Sequence, residues 1–151
     1  MQLLQVFLWS MVPIVEQKGS IILGINKFNL NPYIVFIVSL LGSLVPVPFI
    51  LLFFNRIFKW MKKYEIFRKI NDFIDKKIAK NSDKMVRYKE IGLIIFIGIP
   101  LPTTGLWTGS AIAAFLKLDF MKSLICAILG GTISGILITI MCVAFPWLLG
   151  L

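Results

Sequence analysis

The chain has 151 residues, of which 58% are hydrophobic and 15% charged, and its mean hydropathy is +0.90; soluble domains sit near ~45–50% apolar with glycine included. That balance excludes a disordered chain and argues against a water-soluble globule, leaving an integral membrane protein. Lys and Arg (16) outnumber Asp and Glu (7), but 12 of the 16 bases and five of the 7 acids fall within residues 55–90, so the net +9 is a local stretch and not a nucleic-acid-binding surface.

Histidine is absent, and the two cysteines, Cys126 and Cys142, are separated by 16 positions in an apolar run. On one helix that is about 24 Å, too far for a disulfide. Zinc sites, catalytic triads and Cys-His nucleophiles lack their parts, so neither a metal, a cofactor nor an enzymatic activity is expected. Lys18 is the first base, so the start lacks the charged region of a signal peptide, and the mature protein is expected to begin near Met1.

In chain order, Met1 to Val15 is apolar, Glu16-Gln17-Lys18-Gly19 is polar, and Ser20 to Ile25 is apolar again. Arms of ten or so residues reach about 15 Å, half of the ~30 Å hydrocarbon core. They predict a re-entrant hairpin that must be buried against other helices; four tilted spanning helices with polar kinks are the alternative. Glu16 and Lys18, two residues apart at the predicted tip, are ionisable groups at membrane depth. Such groups indicate a transport path or an internal pair, so both are candidate substrate- or proton-binding residues, with a structural ion pair as the alternative. Pro13 and Gly19 shape this hairpin.

Pro32 to Phe54 is long enough to cross, although Pro46 and Pro48 interrupt it, either as a kink or by freeing carbonyls to face a cavity. The basic stretch follows. Ile57, Trp60, Met61, Tyr64, Phe67, Ile70, Ile74 and Ile78 recur every three or four residues and predict an amphipathic helix, lying on the membrane surface or packed on the protein's own face. Asn81-Ser82-Asp83 interrupts it and can cap the next helix.

Ile91 to Ile99 and Ala111 to Leu116 are the arms of a second hairpin. Pro100 and Pro102 stop the incoming arm. Thr104 or Thr108 can cap the outgoing arm, whose free amides attract an anion or polar head group. Thr103, Thr104, Trp107 and Thr108 are therefore candidate substrate contacts, with packing as the alternative role for Trp107. Gly105 and Gly109 allow tight turns and close helix approach. Ser123 to Leu149, with Pro146 near its end, is the second crossing.

The expected fold is an all-α integral membrane protein, a single membrane domain with two inverted repeats (1–54 and 91–151). Each repeat is a re-entrant helical hairpin followed by a transmembrane helix, and a basic amphipathic cytoplasmic helix (55–90) joins them. A weak internal similarity accompanies it: Gly19-Ser20, six residues, Lys27 matches Gly109-Ser110, six residues, Lys117, and Leu41-Gly42 matches Leu129-Gly130. Inverted repeats with broken helices are a recurring plan of secondary transporters. In this topology Lys117 and Lys122 join the linker face while Lys27 stands on the other, so the linker is cytoplasmic and both termini are outside.

Three ordered motifs carry a resemblance: Pro13-x-x-Glu16-x-Lys18-Gly19, then Leu41-Gly42-Ser43-Leu44-Val45-Pro46-Val47-Pro48-Phe49, then Ile99-Pro100-Leu101-Pro102-Thr103-Thr104-Gly105-Leu106-Trp107-Thr108-Gly109. Together they resemble the bacterial and archaeal small multi-drug export proteins. More distantly the chain looks like the DedA and SNARE-associated Golgi protein superfamily, whose paired re-entrant hairpins are implicated in moving lipids. Members usually carry Arg where this chain has Lys18, which keeps the charge but loses the two-pronged grip on phosphate. The resemblance implies a multi-pass protein of a prokaryotic plasma membrane. The leading expectation is a transporter or lipid flippase, open to proton coupling, for an amphipathic substrate with an anionic head group such as a polyprenyl-phosphate or phospholipid. Efflux of cationic drugs with Glu16 as counter-ion, and a non-transporting membrane scaffold, are the alternatives. Membrane lipids and a second copy of the chain, as a homodimer, are the expected partners; nucleic acid is not.

Overall fold

The computed structural model describes residues 1–61, 72, 82–101 and 104–144, and every regular element among them is helical. Helix α1 (Gln2–Met11) stops at Val12, which is extended (φ −81°, ψ 131°) because Pro13 follows it and disfavours helix in its predecessor. Helix α2 begins at Glu16 (Glu16–Ile22) and runs on into one π-helical turn, Leu23–Lys27. The reversal therefore lies at residues 12–15, and Glu16-Gln17-Lys18-Gly19, expected as the tip, form the first turn of α2. The reason is a periodicity that hydropathy alone hides: Gln17, Ser20, Ile21 and Gly24 share one helical face, and all four are buried.

Asn31 starts α3 (Pro32–Leu44) by accepting the Tyr33 N–H at 2.9 Å, with proline at the first helical position, where its missing donor costs nothing. Helix α4 (Pro46–Met61) continues it. At the junction Val45 keeps helical dihedrals (φ −56°, ψ −48°) and bonds Gly42 O at 3.3 Å, so Pro46 and Pro48 interrupt the hydrogen bonding and not the path. Pro32–Ile57 is thus one apolar run of 26 residues, about 39 Å at 1.5 Å per residue. Helix α5 (Ser82–Gly98) ends just before Pro100, α6 is Leu106–Phe115, and α7 is Phe120–Ala144. This last helix begins three residues earlier than the sequence suggested. Of the periodic apolar residues that predict the linker helix, only Ile57, Trp60 and the Met61 backbone are described, at the end of α4; Tyr64, Phe67, Ile70, Ile74, Ile78 and Asn81 lie outside the described residues, as does Pro146.

Packing depends on small residues. Helix α1 lies along α3 and α5 along α7. A Cβ on Gly42 would meet the Phe7 carbonyl and Ser10 Oγ, and one on Gly130 would meet the Ile94 carbonyl and the Ile97 side chain, so glycine sets both distances of approach. Buried serines replace larger side chains elsewhere, and several satisfy the hydroxyl on a carbonyl of their own helix, as Ser43 does on Leu40 O and Ser110 on Leu106 O. Ser20 Oγ and Ser39 Oγ, 3.0 Å apart, join α2 to α3.

Two buried apolar clusters result. One joins Val6, Ile21 and Val35 to Ile138 and Cys142 near the end of α7. The other joins Leu93, Ile97 and Leu106 to Val47 and Leu51 on α4 and Cys126 near the start of α7. Gly24 sits against Val6 and Val35, while Gly42 sits against Phe7 and Ser10, so α1 and α3 run in the same direction. Cys126 lies by the Glu90 carbonyl, and Ile133 lies by Gly98, so α5 and α7 do too. Pro32 and Tyr33 stand beside Ile140 and Ala144, which makes the two long helices antiparallel. The helix pairs α1/α2 and α5/α6 therefore start from opposite ends. Their turns meet beside Gly131 and Gly135, which contact Leu106 and Gln17 respectively, halfway along α7. Outward-facing Ile125, Leu129, Ile133, Ile136 and Ile140 are exposed, an apolar surface suited to lipid.

Candidate functional site

Any helix leaves its first amides and last carbonyls without intrahelical partners. Here each turn is completed by side chains of the other. Glu16 enters α2 through the left-handed region (φ 50°), and its Oε1 accepts the Trp107 N–H at 3.1 Å, in the first turn of α6. A carboxylate there is favoured by the helix dipole as well as by the hydrogen bond. Lys18 Nζ donates to Leu101 O at 2.6 Å and to Thr104 O, carbonyls of the loop between α5 and α6. The Trp107 indole Nε1 donates back to Met11 O at 3.1 Å, in the last turn of α1.

Glycine at 105 makes the contact possible. Its backbone is extended, so conformational freedom is not the reason; a Cβ there would collide with the Glu16 carboxylate. Gly109 likewise lets the Ile97 side chain lie against α6. Of the two threonines expected to cap α6, Thr108 does so, its Oγ1 accepting the Gly105 N–H at 3.0 Å. Thr104 instead turns back to close the preceding loop, donating to Ile99 O at 2.8 Å.

Glu16, Lys18, Thr104, Trp107 and Thr108 are thus brought together, while Pro102 and Thr103 lie outside the described residues. Glu16 and Lys18 each bind the second turn, which a simple pair neutralising itself would not do. The start of α6, expected to offer free amides to an anion, is occupied by the protein's own Glu16. Sequence reasoning also passed over Gln17, only 2% exposed and seated against α7 at Gly135. Its spacing from Ser20, Ile21 and Gly24 was the available signal.

Beside the two turns opens a cleft of about 490 Å³. Its wall is apolar, with Ile14, Val15, Ile22, Leu23, Ile138 and Met141, and Glu16 and Lys18 are its charged residues. Among the described residues, no three His, Cys, Asp or Glu side chains converge as metal ligands.

A family model described as "Putative small multi-drug export protein" matches residues 16–137, well over half of the chain. The chain belongs to this family. The match runs from Glu16, just past the first turn, through the second turn, the first long apolar helix and most of the second, and with them it places the protein among membrane proteins. Searches of curated proteins and of solved structures find no match.

In this family member the indole contact has a measurable weight. Trp107→Phe keeps the ring but removes the donor to Met11 O, and should lower stability by about 1 kcal/mol, the net worth of one hydrogen bond. Trp107→Ala should cost about 3–5 kcal/mol through the added loss of packing. Unfolding in mixed detergent micelles measures both; a Trp107→Phe protein as stable as the parent would mean that the indole N–H contributes nothing.

Proposed function

We propose that the protein is a proton-coupled membrane transporter, of flippase type, for an amphipathic substrate with an anionic head group, a polyprenyl-phosphate or a phospholipid. The observation that carries this reading is the Glu16 carboxylate seated on the first turn of α6, next to Lys18, where an apolar cleft ends. A carboxylate is already what the α6 amides bind, so a phosphate oxygen can take its place. Lys18 is within reach of the same atoms, and the cleft receives the hydrocarbon chain. When the anion displaces Glu16, a proton taken up by Glu16 leaves the net charge of the site unchanged, which avoids burying an extra charge at membrane depth. Release on the other side returns the proton and restores the Glu16 to Trp107 contact.

The membrane arrangement belongs to the same proposal. Two re-entrant hairpins, α1/α2 and α5/α6, enter from opposite faces, and their turns lie at the midplane, in an inverted repeat. Support comes from the turns meeting halfway along α7 and from the equivalent use of Gly42 and Gly130. It comes also from the two apolar clusters, each built from one helix pair, the near half of its own long helix and the far half of the other. The basic linker lies in the cytoplasm of a prokaryotic cell: Lys89 and Glu90 contact Leu116 and Lys122, which gathers the bases of both segments at one end. Asn81→Cys, in a background with Cys126 and Cys142 replaced by Ala, should be labelled by an impermeant thiol reagent only from the cytoplasm. Labelling in intact cells would reverse the orientation.

The deciding experiment is reconstitution of the full chain in liposomes with a fluorescent anionic phospholipid, a polyprenyl-phosphate or a cationic dye, with and without a pH gradient. Lys18→Gln should slow movement of the anionic lipids by about tenfold or more, as expected for one charge-assisted contact, and Lys18→Arg should preserve or improve it. Glu16→Gln should abolish the dependence on the gradient. Reversed signs, with the dye lost in Glu16→Gln and gained in Lys18→Gln, would assign cationic drugs instead. Unchanged movement in both variants would leave a scaffold.

A further inference from the structure

A second cleft, of about 730 Å³, lies at the other end of α6, between the last turns of the first long helix and the loop that leads into α7. Asn55, Arg56 and Lys59 line it from α4, and Lys117 lines it from the loop; Leu52, Ala114 and Leu118 make its floor. We propose that this cleft binds the phosphate-bearing head group of an anionic membrane lipid, independently of the site at the two turns.

Charge is the first argument. Arg56 and Lys59 bring two positive charges to the cleft beside Asn55, and no carboxylate stands among the described lining residues. Glu90, at the same end of the molecule, is held by Lys122 at 3.1 Å. Arg56 and Lys59 are both exposed, and Arg56 brings the planar fork that matches two oxygens of one phosphate. Position is the second argument. Arg56 and Lys59 stand where the apolar run Pro32–Ile57 ends, with exposed Trp60 beside them. Long bases and tryptophan occupy this level at a membrane surface, where lipid phosphates lie. The third argument separates a lipid from a soluble anion. Leu52 is one helical turn deeper than Arg56 on α4, so the floor beneath the cations is apolar and continues toward the hydrocarbon. A free phosphate would gain nothing from it, whereas the first carbons of an acyl chain would be covered.

The test uses the purified full chain in neutral detergent, with phosphatidylglycerol, phosphatidylcholine and inorganic phosphate as probes, read by native mass spectrometry and by thermal shift. Phosphatidylglycerol should remain bound and raise the melting temperature, the more so at low ionic strength, and phosphatidylcholine should do neither. R56Q/K59Q should weaken phosphatidylglycerol binding by about tenfold or more, with R56K/K59R restoring it, while K27Q, on the far side of the molecule, should bind like the parent. The restored binding in R56K/K59R separates a lost site from a lost fold. Equal retention of phosphatidylcholine, unchanged binding in R56Q/K59Q, or displacement by inorganic phosphate at the same concentration as the lipid would overturn the proposal. Since none of these residues is at the two turns, failure here leaves the transport reading untouched.

Discussion

Gly105→Val should separate the two turns and abolish transport. The new side chain would occupy the space of the Glu16 carboxylate, which must then leave the Trp107 N–H. Two losses coincide: an overpacked contact, typically 1–3 kcal/mol, and a half-buried carboxylate parted from its hydrogen-bond donor, about 1–3 kcal/mol. We therefore expect a stability loss on the order of 4 kcal/mol, seen as a fall in melting temperature in detergent, together with loss of movement in liposomes. Gly92→Ala is the control. No atom lies within 4 Å of a Cβ there, so stability should hold or rise slightly, by up to about 1 kcal/mol of helix propensity. A double-mutant cycle checks the cause: Glu16→Ala should make Gly105→Ala nearly harmless. If Gly105→Ala costs the same in both backgrounds, the collision with Glu16 is not what glycine is needed for.

The second large effect belongs to the paired glycines of the long helices. At Gly42 a Cβ would stand 2.5 Å from the Phe7 carbonyl, and at Gly130 it would stand 3.0 Å from the Ile94 carbonyl. Backbone cannot swing aside as a side chain can, so α1 or α5 would have to move bodily. Gly42→Ala should cost about 2–3 kcal/mol and Gly130→Ala somewhat less, in the range of overpacked cores. Gly42→Leu and Gly130→Leu should prevent the folded protein from accumulating. Unfolding curves in mixed micelles rank the alanine variants, and folded yield reports the leucine ones. A Gly42→Ala protein as stable as the parent would show that α1 is not held by this approach to α3.

Those two glycines also mark how far local pattern reaches. Their equivalence is visible in the sequence as Leu41-Gly42 and Leu129-Gly130, but only as a short match. What each glycine is small for, Phe7 in one case and Ile94 in the other, belongs to a different helix. Pro13 and Pro100 were legible in the stronger sense, because a proline acts on its own predecessor and ends α1 and α5 where it stands. The reversal of the first pair was misplaced by four residues, since polarity marked Glu16 to Gly19 while the buried face of Gln17, Ser20, Ile21 and Gly24 had already made them helical.

Hydropathy and charge along the sequence determined the membrane class, the two long apolar helices, the two interrupted apolar pairs and the concentration of bases within residues 55–90. Each of these depends on hydropathy, length or charge within a short window, measured against a bilayer of fixed thickness. The tertiary structure alone decided what Glu16, Lys18 and Trp107 do. Their partners lie 91, 83 and 96 residues away, and all are backbone atoms, which every residue type carries alike. No residue pattern can announce such a contact. It exists because two turns starting from opposite ends reach the same level of α7, where the amides and carbonyls left over at each helix end are met by side chains of the other turn.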